Sequence, residues 1–169
     1  MPHQIEKKIQ VKVPANKLWQ VMSDFCSVEN YALTIKASPI INDIHSGLGA
    51  KRLCTFNDGT TLVEEIVEYD EGRRMKIVLS EYSMPLKSMS VEMAVKSIND
   101  DTSELTMSSE FVVKAGPAGW VMGKLVMEPM MKGVFKKLMS GLAYYTETGE
   151  RIDSKLPAGE QMNRIVVSG

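Results

Sequence analysis

The sequence predicts an α+β fold in which a curved antiparallel sheet of about seven strands wraps around one long C-terminal helix. Two observations lead to this prediction. A series of strand-length runs is separated by short turn signals such as Asn57-Asp58-Gly59, and the long apolar segment 116–149 follows them. Short turns join neighbouring strands antiparallel, and the strands carry one apolar and one polar face. The segment 116–149 is therefore the element that covers the apolar face.

The first elements are a strand and two short helices. Residues 4–13 alternate between apolar and charged or amide side chains, which is typical of a strand with one solvated face. Pro14 suits the first turn of a helix, and apolar residues recur at helical spacing through residue 25. Ser27 is a suitable cap for a second short helix that ends near Leu33.

Six further strands are predicted from the spacing of the turn signals. They lie at 38–45, 50–57, 60–69, 73–82, 88–98 and 102–114. After them comes an apolar stripe suited to the concave side of the sheet, formed by Met131, Phe135, Leu138, Leu142 and Tyr145. Because Pro129 interrupts a helix, residues 117–128 are expected to form a separate or kinked lead-in. Residues 1–149 are predicted to form a single domain, and residues 150–169 a polar tail that is loosely docked or disordered.

The composition narrows the class of protein. With 20 Lys+Arg against 21 Asp+Glu, the net charge creates no long-range electrostatic field that would favour binding to nucleic acid or to an anionic membrane. The sequence shows no apolar run of transmembrane length and no secretory signal, and its two cysteines, Cys26 and Cys54, are expected to be reduced, so a cytoplasmic location is predicted. The spacing of His and Cys supports no metal site, and no phosphate-binding loop points to a nucleotide cofactor, so none is predicted. The 13 methionines suit either ordinary core packing or a pocket that adapts its shape.

Three groups of residues resemble one superfamily. They are Leu48-Gly49-Ala50-Lys51-Arg52, the stretch from Glu64-Glu65-Ile66 to Asp70-Glu71, and the block from Gly116-Pro117 to Gly141-Leu142. In order and spacing they resemble the helix-grip (Bet v 1-like, START-like) proteins, and within them the bacterial SRPBCC or polyketide cyclase/dehydrase type. The resemblance covers about residues 4–149. It implies a helix-grip fold that carries hormone receptors, lipid carriers and aromatase/cyclases in different members, so the fold does not decide the function.

Glu64 is the first candidate for a functional residue. By alternation it shares a strand face with Leu62 and Ile66, and the resemblance matches it to a glutamate that points into the cavity of ligand-binding relatives. A carboxylate on an apolar wall must be paired, hydrated or protonated, and each state suits a ligand anchor or a general acid or base. The alternative is a surface glutamate or a structural partner of an arginine. Arg52 has the parity to be that partner, or else lies at the rim of the sheet.

A pocket between the sheet and the C-terminal helix is expected to have many apolar walls and few polar groups. Glu64, Arg52 and Ser109 are the predicted polar groups, although Ser109 is about as well suited to bonding within its own sheet. The two histidines are not expected to be catalytic, since His45 precedes a turn and His3 lies in a terminal arm. The predicted walls are Cys54, Phe56, Leu62, Met89, Val91, Met107, Phe111, Met131, Phe135 and Leu138.

Three functions are consistent with such a pocket. The leading hypothesis is binding of a small hydrophobic or amphipathic molecule, such as a lipid, a polyketide-like compound or an aromatic one. The second is a cofactor-free cyclase, dehydratase or lyase that uses Glu64 as acid or base, although the sequence offers no convincing second group of that kind. The third is a regulatory module that responds to a ligand. Whether the protein is an enzyme, and whether it is a monomer or a dimer, stays open.

Overall fold

The computed structural model describes residues 1–153 and 155–168, and within them it contains one antiparallel sheet of eight strands. The order across the sheet is β2-β3-β4-β5-β6-β7-β1-β8, so a meander from β2 to β7 is completed by β1. The strands are β1 (His3–Val11), β2 (Ile35–Ala37), β3 (Lys51–Phe56), β4 (Thr61–Asp70), β5 (Arg74–Ser80), β6 (Leu86–Ser97), β7 (Ser103–Val113) and β8 (Val166–Ser168).

One long helix covers the inner face of this sheet. It is α3 (Glu128–Thr148), which contacts β1, β7 and the short helix α1 (Ala15–Ser23). The predicted second helix is only a 3₁₀ turn at Val28–Asn30, because the hydroxyl of Ser27 donates to Asp24 O instead of capping a helix. It follows α1, and the two elements cross from the first strand to the far edge. The inward side chains of α3 are buried and include Met131, Phe135, Met139 and Leu142. The predicted α+β helix-grip architecture is confirmed.

The predicted strand at 38–45 is wrong. The strand before β3 is instead β2, at Ile35–Ala37, and residues 38–45 form a loop with one isolated bridge between Ile40 and Arg52. Pro39 has no N–H to give to a ladder, and Asn42 uses its side chain to bond Gly49 O at 2.9 Å. Local side-chain bonding therefore replaces the second half of the expected ladder.

The C-terminal segment also differs from the prediction of a loosely docked or disordered tail. It forms α4 (Gly159–Asn163) and then β8, which pairs antiparallel with β1. Ile152 and Ile165 are buried, and Lys12 N donates to Ile165 O at 2.7 Å. Without β8 the outer edge of β1 would expose unpaired backbone groups, which explains why a mostly polar segment docks there. Ser154 and Gly169, two residues of that tail, lie outside the described residues.

The lead-in to α3 is not separated from it at Pro129 as predicted, because the backbone stays helical throughout. It consists of α2 (Gly116–Met122) and a π-helical segment, Gly123–Met127, that runs directly into α3. The inward residues of the lead-in and of the first turns of α3 recur at intervals of four, which places them on one side of the helix. These inward residues are Gly119, Gly123, Met127, Met131 and Phe135.

His3 fixes this lead-in to the sheet, although the sequence places it in a terminal arm. Its ring is buried between Phe111 and Trp120, at centroid distances of 4.9 and 5.4 Å, and Nδ1 lies 2.9 Å from Glu128 Oε1. The hydrogen bond from His3, supported by Lys124, holds the pKa of Glu128 below its usual value. A Cβ at Gly123 would lie 2.5 Å from His3 Nε2, so only glycine lets the helix approach this closely.

Candidate functional site

An ion pair between β3 and β4 lies at the centre of the candidate site. Arg52 and Glu64 are direct partners in the ladder, and both side chains point inward, as strand alternation predicts. Nε of Arg52 donates to Oε2 of Glu64 at 2.6 Å, and Nη2 lies 2.5 Å from the same oxygen. The two side chains are only 6% and 15% exposed, so the charges interact with little solvent screening.

The segment after α1 holds Arg52 from the other side. Nη1 donates to the carbonyl oxygen of Phe25 at 2.8 Å, and the guanidinium carbon lies 3.9 Å from the centroid of the Phe25 ring. Burial disfavours the charged guanidinium, but Glu64, with smaller contributions from Cys54 and Tyr31, outweighs it and raises the pKa of Arg52. Arg52 therefore stays charged, and its position is fixed by Glu64 and by the carbonyl oxygen and ring of Phe25.

A small cavity of about 60 Å³ adjoins this ion pair. It has room for a few water molecules at most and is far smaller than the roughly 300–1,000 Å³ of typical ligand pockets. Four of its lining residues are methionines, whose side chains change shape easily. The lining residues are Met22, Phe25, Val28, Tyr31, Ile35, Arg52, Glu64, Met75, Ile77, Val91, Met93, Met107 and Leu138.

Tyr31 supplies a second group with a useful proton to this cavity. It follows the 3₁₀ turn and is only 3% exposed. Burial raises the pKa of Tyr31 to about 12, with Arg52 opposing that shift and Glu64 adding to it. Its phenol is therefore protonated at neutral pH and able to donate a hydrogen bond into the cavity.

Cys54 lies behind the ion pair rather than on the cavity wall. Its thiol is fully buried and lies 3.5 Å from Glu64 Oε2. Burial, followed by the charge of Glu64, raises the pKa of the Cys54 thiol to about 12. A thiol that stays protonated is a poor nucleophile, so Cys54 is a packing residue that also donates a weak hydrogen bond.

A larger apolar pocket of about 520 Å³, here named the mouth pocket, opens next to the small cavity. The two are adjacent along the same elements, because Val134 lies one turn before Leu138 on α3 and Leu62 lies two residues before Glu64 on β4. The mouth pocket is lined by Thr34, Phe56, Asn57, Asp58, Thr60, Thr61, Leu62, Tyr82, Ser83, Met84, Met130 and Val134.

The structure brings most of the predicted site residues together but not all of them. Arg52, Glu64, Val91, Met107 and Leu138 line the small cavity. Phe56 and Leu62 line the mouth pocket. Met131 and Phe135 are buried in the core cluster, as is Phe111, which stacks on His3.

Ser109 and Met89, like Cys54, do not face the small cavity. Ser109 is buried, but its hydroxyl donates to Ser90 O at 2.7 Å, so the neighbouring strand occupies the proton that a ligand was expected to receive. Met89 borders a groove shared with Tyr82 and Lys87 rather than the small cavity. Ser109 lies on β7 and Met89 on β6, two strands that pair antiparallel with each other.

The sequence did not predict that residues in and after α1 line the small cavity. Met22, Phe25 and Tyr31 line the cavity, yet the helical spacing of residues 14–25 shows only that the face is apolar. Tyr31 has no periodic pattern around it that could place it. Met75, Ile77 and Met93 could have been found, because they follow the same strand alternation as Val91.

Across residues 1–153 and 155–168, no helix combines the length and apolar character needed to span a membrane. The same described ranges contain no group of three or more His, Cys, Asp or Glu residues arranged to hold a metal ion.

The family assignment follows from a sequence profile that matches residues 2–147 and is described as polyketide cyclase/dehydrase and lipid transport. The chain belongs to this family. Membership, together with the fold, supports a Bet v 1-like ligand-binding or cyclase role without specifying a ligand or an activity. No curated protein matches the chain.

Solved structures share the fold at low sequence identity. The protein XoxI from Bacillus cereus is 15% identical, with a TM-score of 0.71 over 88% of this chain and 99% of that one. A point mutant of Thalictrum flavum norcoclaurine synthase in complex with a transition-state analogue is 18% identical, with a TM-score of 0.69 over 88% and 96%. The ZhuI aromatase/cyclase from Streptomyces sp. R1128 is 14% identical, with a TM-score of 0.68 over 90% and 100%. At these identities the likeness concerns the fold alone.

Proposed function

We propose that this protein binds a small hydrophobic or amphipathic molecule between the sheet and α3, with the polar end of the molecule at the Arg52–Glu64 pair. The observation that carries the proposal is that this ion pair lines an apolar cavity which lies next to the mouth pocket. Charged groups are costly inside an apolar core, and replacing such a pair by apolar residues is often neutral or stabilising. A role in binding accounts for a feature that stability alone does not require.

The polar groups at the cavity form a small set of donors and acceptors. The three contacts described for Glu64 go to Oε2, which leaves Oε1 for a ligand hydroxyl or amine. The protonated phenol of Tyr31 can donate to a ligand carbonyl. A few such groups among many apolar contacts are typical of pockets that fix the orientation of a small molecule.

The cavity must expand when it accepts a ligand, because its present volume of about 60 Å³ is too small for one. Met22, Met75, Met93 and Met107 line it and supply the flexibility. Rotation of these unbranched side chains, with Leu138 moving at the boundary, would join the cavity to the mouth pocket. The ligand would then extend from the mouth pocket to the ion pair.

Leu138→Trp is expected to weaken binding of the neutral fluorescent probe N-phenyl-1-naphthylamine by about tenfold or more, because the indole fills the space beside the ion pair. The matched control is Lys137→Trp, which adds the same side chain at an exposed neighbouring position on α3. Native mass spectrometry of the purified protein would show whether a ligand is already bound.

Methyl NMR on labelled methionine gives an independent measure of the same proposal. The probe should shift the methyl signals of the four cavity methionines and leave that of Met139, which is fully buried in the core, unchanged. Equal probe affinity in wild type and Leu138→Trp, with no shift at the cavity methionines, would rule out this binding site.

A second candidate function, proton transfer in a cyclase- or dehydratase-type reaction, is favoured by one observation. Tyr31 and Glu64 line the same cavity, so an acid and a base face the same space. The ZhuI aromatase/cyclase and norcoclaurine synthase share the fold but support the idea by analogy alone. Against it, Arg52 donates a hydrogen bond to Glu64 Oε2 at 2.6 Å, so this oxygen already has a partner.

Proton transfer can be tested with acetophenone in D₂O, by following exchange of its methyl hydrogens with ¹H NMR. If the cavity provides acid–base chemistry, the protein accelerates exchange, Glu64→Gln reduces the acceleration by about 10²-fold or more, and Tyr31→Phe reduces it less. Probe binding measured on the same variants separates the two functions. Unchanged exchange in Glu64→Gln, in a variant that still binds the probe, would be evidence against proton transfer by this residue.

A further inference from the structure

The segment from Lys114 to Lys137 has an unusual exposed surface. Its exposed residues are either lysine or apolar, with glycine and proline between them. The sequence of this segment contains no Ser, Thr, Asn, Gln or Asp, and its one acidic residue, Glu128, is buried. The exposed large apolar side chains, with their exposed fractions, are Trp120 (38%), Val121 (48%), Met122 (38%), Leu125 (70%), Val126 (57%), Met130 (55%) and Val134 (47%). We call this surface the lysine–apolar face.

The same face carries a local positive charge. It includes five lysines, at positions 114, 124, 132, 136 and 137, whereas the whole chain has a formal net charge of −1. Glu128 bonds both His3, at 2.9 Å, and Lys124, at 3.2 Å, so it partly offsets one lysine only. The near-neutral composition of the whole chain is therefore compatible with a local excess of positive charge at this face.

The face belongs to a well-anchored part of the fold. Its inward side packs through Gly119 and Gly123, and at Gly123 the backbone closely approaches the buried ring of His3. The segment is therefore firmly packed on its inner side, and the large apolar side chains on its outer side are exposed even so. A monomeric protein rarely exposes this much contiguous apolar surface without a use for it.

The combination of lysines and large apolar residues fits one kind of partner best. A helix with Lys on its polar side and Trp, Leu and Val on the other binds in the interface of an anionic membrane. A symmetric contact with a second copy would place lysine-rich surfaces against each other. Single-stranded nucleic acid would call for several stacking aromatic rings, and this face offers Trp120 alone among exposed aromatic residues in the fully described stretch 114–137.

Two apolar depressions adjoin the face. Met130 and Val134 belong to the wall of the mouth pocket, and Trp120 and Val121 line a groove of about 490 Å³ that also includes Lys87. An apolar molecule that leaves a bilayer under this face would reach the mouth pocket without crossing water. The inference does not require the proposed function, since the face and its charges exist whatever the cavity holds.

We propose that the lysine–apolar face docks the protein onto the surface of an anionic lipid membrane. Trp120, Leu125 and Val126 enter the interface between headgroups and acyl chains, and the lysines contact the anionic headgroups. The protein is bound peripherally and reversibly, because the face is only partly apolar and no helix enters the bilayer along its length.

Vesicle flotation tests this proposal with the intact protein. Binding is expected to vesicles of phosphatidylcholine mixed with phosphatidylglycerol, to be weak with phosphatidylcholine alone, and to fall as salt is added. Leu125→Glu and Lys132→Glu are each expected to weaken binding by about tenfold or more. The controls are Leu48→Glu, at a residue 62% exposed in the turn before β3, and Lys96→Glu at an exposed position on β6, both expected to bind like wild type.

Tryptophan fluorescence gives a second readout at the face itself. Trp19 is buried and bonds Glu71, whereas Trp120 is 38% exposed, so a blue shift on addition of anionic vesicles should come from Trp120 and be lost in Trp120→Phe. Absence of flotation with anionic vesicles would overturn the proposal, as would equal losses in the control variants. Concentration-dependent dimerisation that Leu125→Glu abolishes, without vesicle binding, would assign the face to a second copy of the chain instead.

Discussion

Arg52→Ala is expected to lower the free energy of unfolding by about 3–5 kcal/mol, because it leaves the buried carboxylate of Glu64 without its partner. The guanidinium also bonds Phe25 O and lies over the Phe25 ring, so the substitution frees the segment that follows α1. Urea denaturation followed by circular dichroism measures the change, provided that the variant retains the native spectrum before denaturant is added.

The neighbouring pair Lys51–Glu65 supplies the matched control. It faces the other way in the same two strands, with the charged atoms 3.6 Å apart and the side chains 43% and 41% exposed. Lys51→Ala is expected to cost less than about 1 kcal/mol. If Arg52→Ala lowers the free energy of unfolding no more than Lys51→Ala does, the Arg52–Glu64 ion pair does not contribute to stability as described.

The double variant Arg52→Met with Glu64→Leu separates stability from binding. Replacing both charges by apolar side chains of similar size is expected to restore most of the stability lost in Arg52→Ala. Under the proposed function, this stable variant still loses affinity for ligands that carry a polar group. Full affinity in the double variant would show that the ion pair does not anchor the ligand.

Gly141→Ala is expected to lower the free energy of unfolding by about 2 kcal/mol, even though alanine favours a helix over glycine by nearly 1 kcal/mol. A Cβ at Gly141 would lie 2.3 Å from the backbone oxygen of Tyr31, and a backbone atom cannot rotate away. The helix α3 would have to move from the turn that carries Tyr31, so probe binding should weaken as well. Thermal and urea unfolding measure the first effect, and probe titration measures the second.

Gly133→Ala provides the control on the same helix. A Cβ at Gly133 meets nothing within 4 Å, so the variant should gain the helix propensity of alanine and become more stable by up to about 1 kcal/mol. The two glycine substitutions are therefore expected to have opposite signs. Changes of the same sign would mean that the close approach at Tyr31 does not limit the packing of α3.

Much of the sheet could be predicted because the alternation of apolar and polar residues along a strand is a local property of the sequence. A period of two places Arg52 and Glu64 on the same face as Cys54 and Leu62, and the structure has them there. The strand predicted at 38–45 failed because a local pattern does not reveal that Asn42 bonds Gly49 and removes the loop from the ladder. The docked tail could not be predicted because its partner, β1, lies at the opposite end of the chain.

The sequence by itself determined the α+β class, the long C-terminal helical segment, and the common strand face of Arg52 and Glu64. Each follows from spacing or backbone chemistry within a few residues. Only the tertiary structure decided that methionines close the cavity to about 60 Å³, that Tyr31 joins it, and that Ser109 bonds Ser90 instead of a ligand. It also decided which apolar residues of 114–137 stay exposed beside the lysines. These features depend on contacts between elements far apart in the chain, and no local pattern specifies how closely two such elements pack.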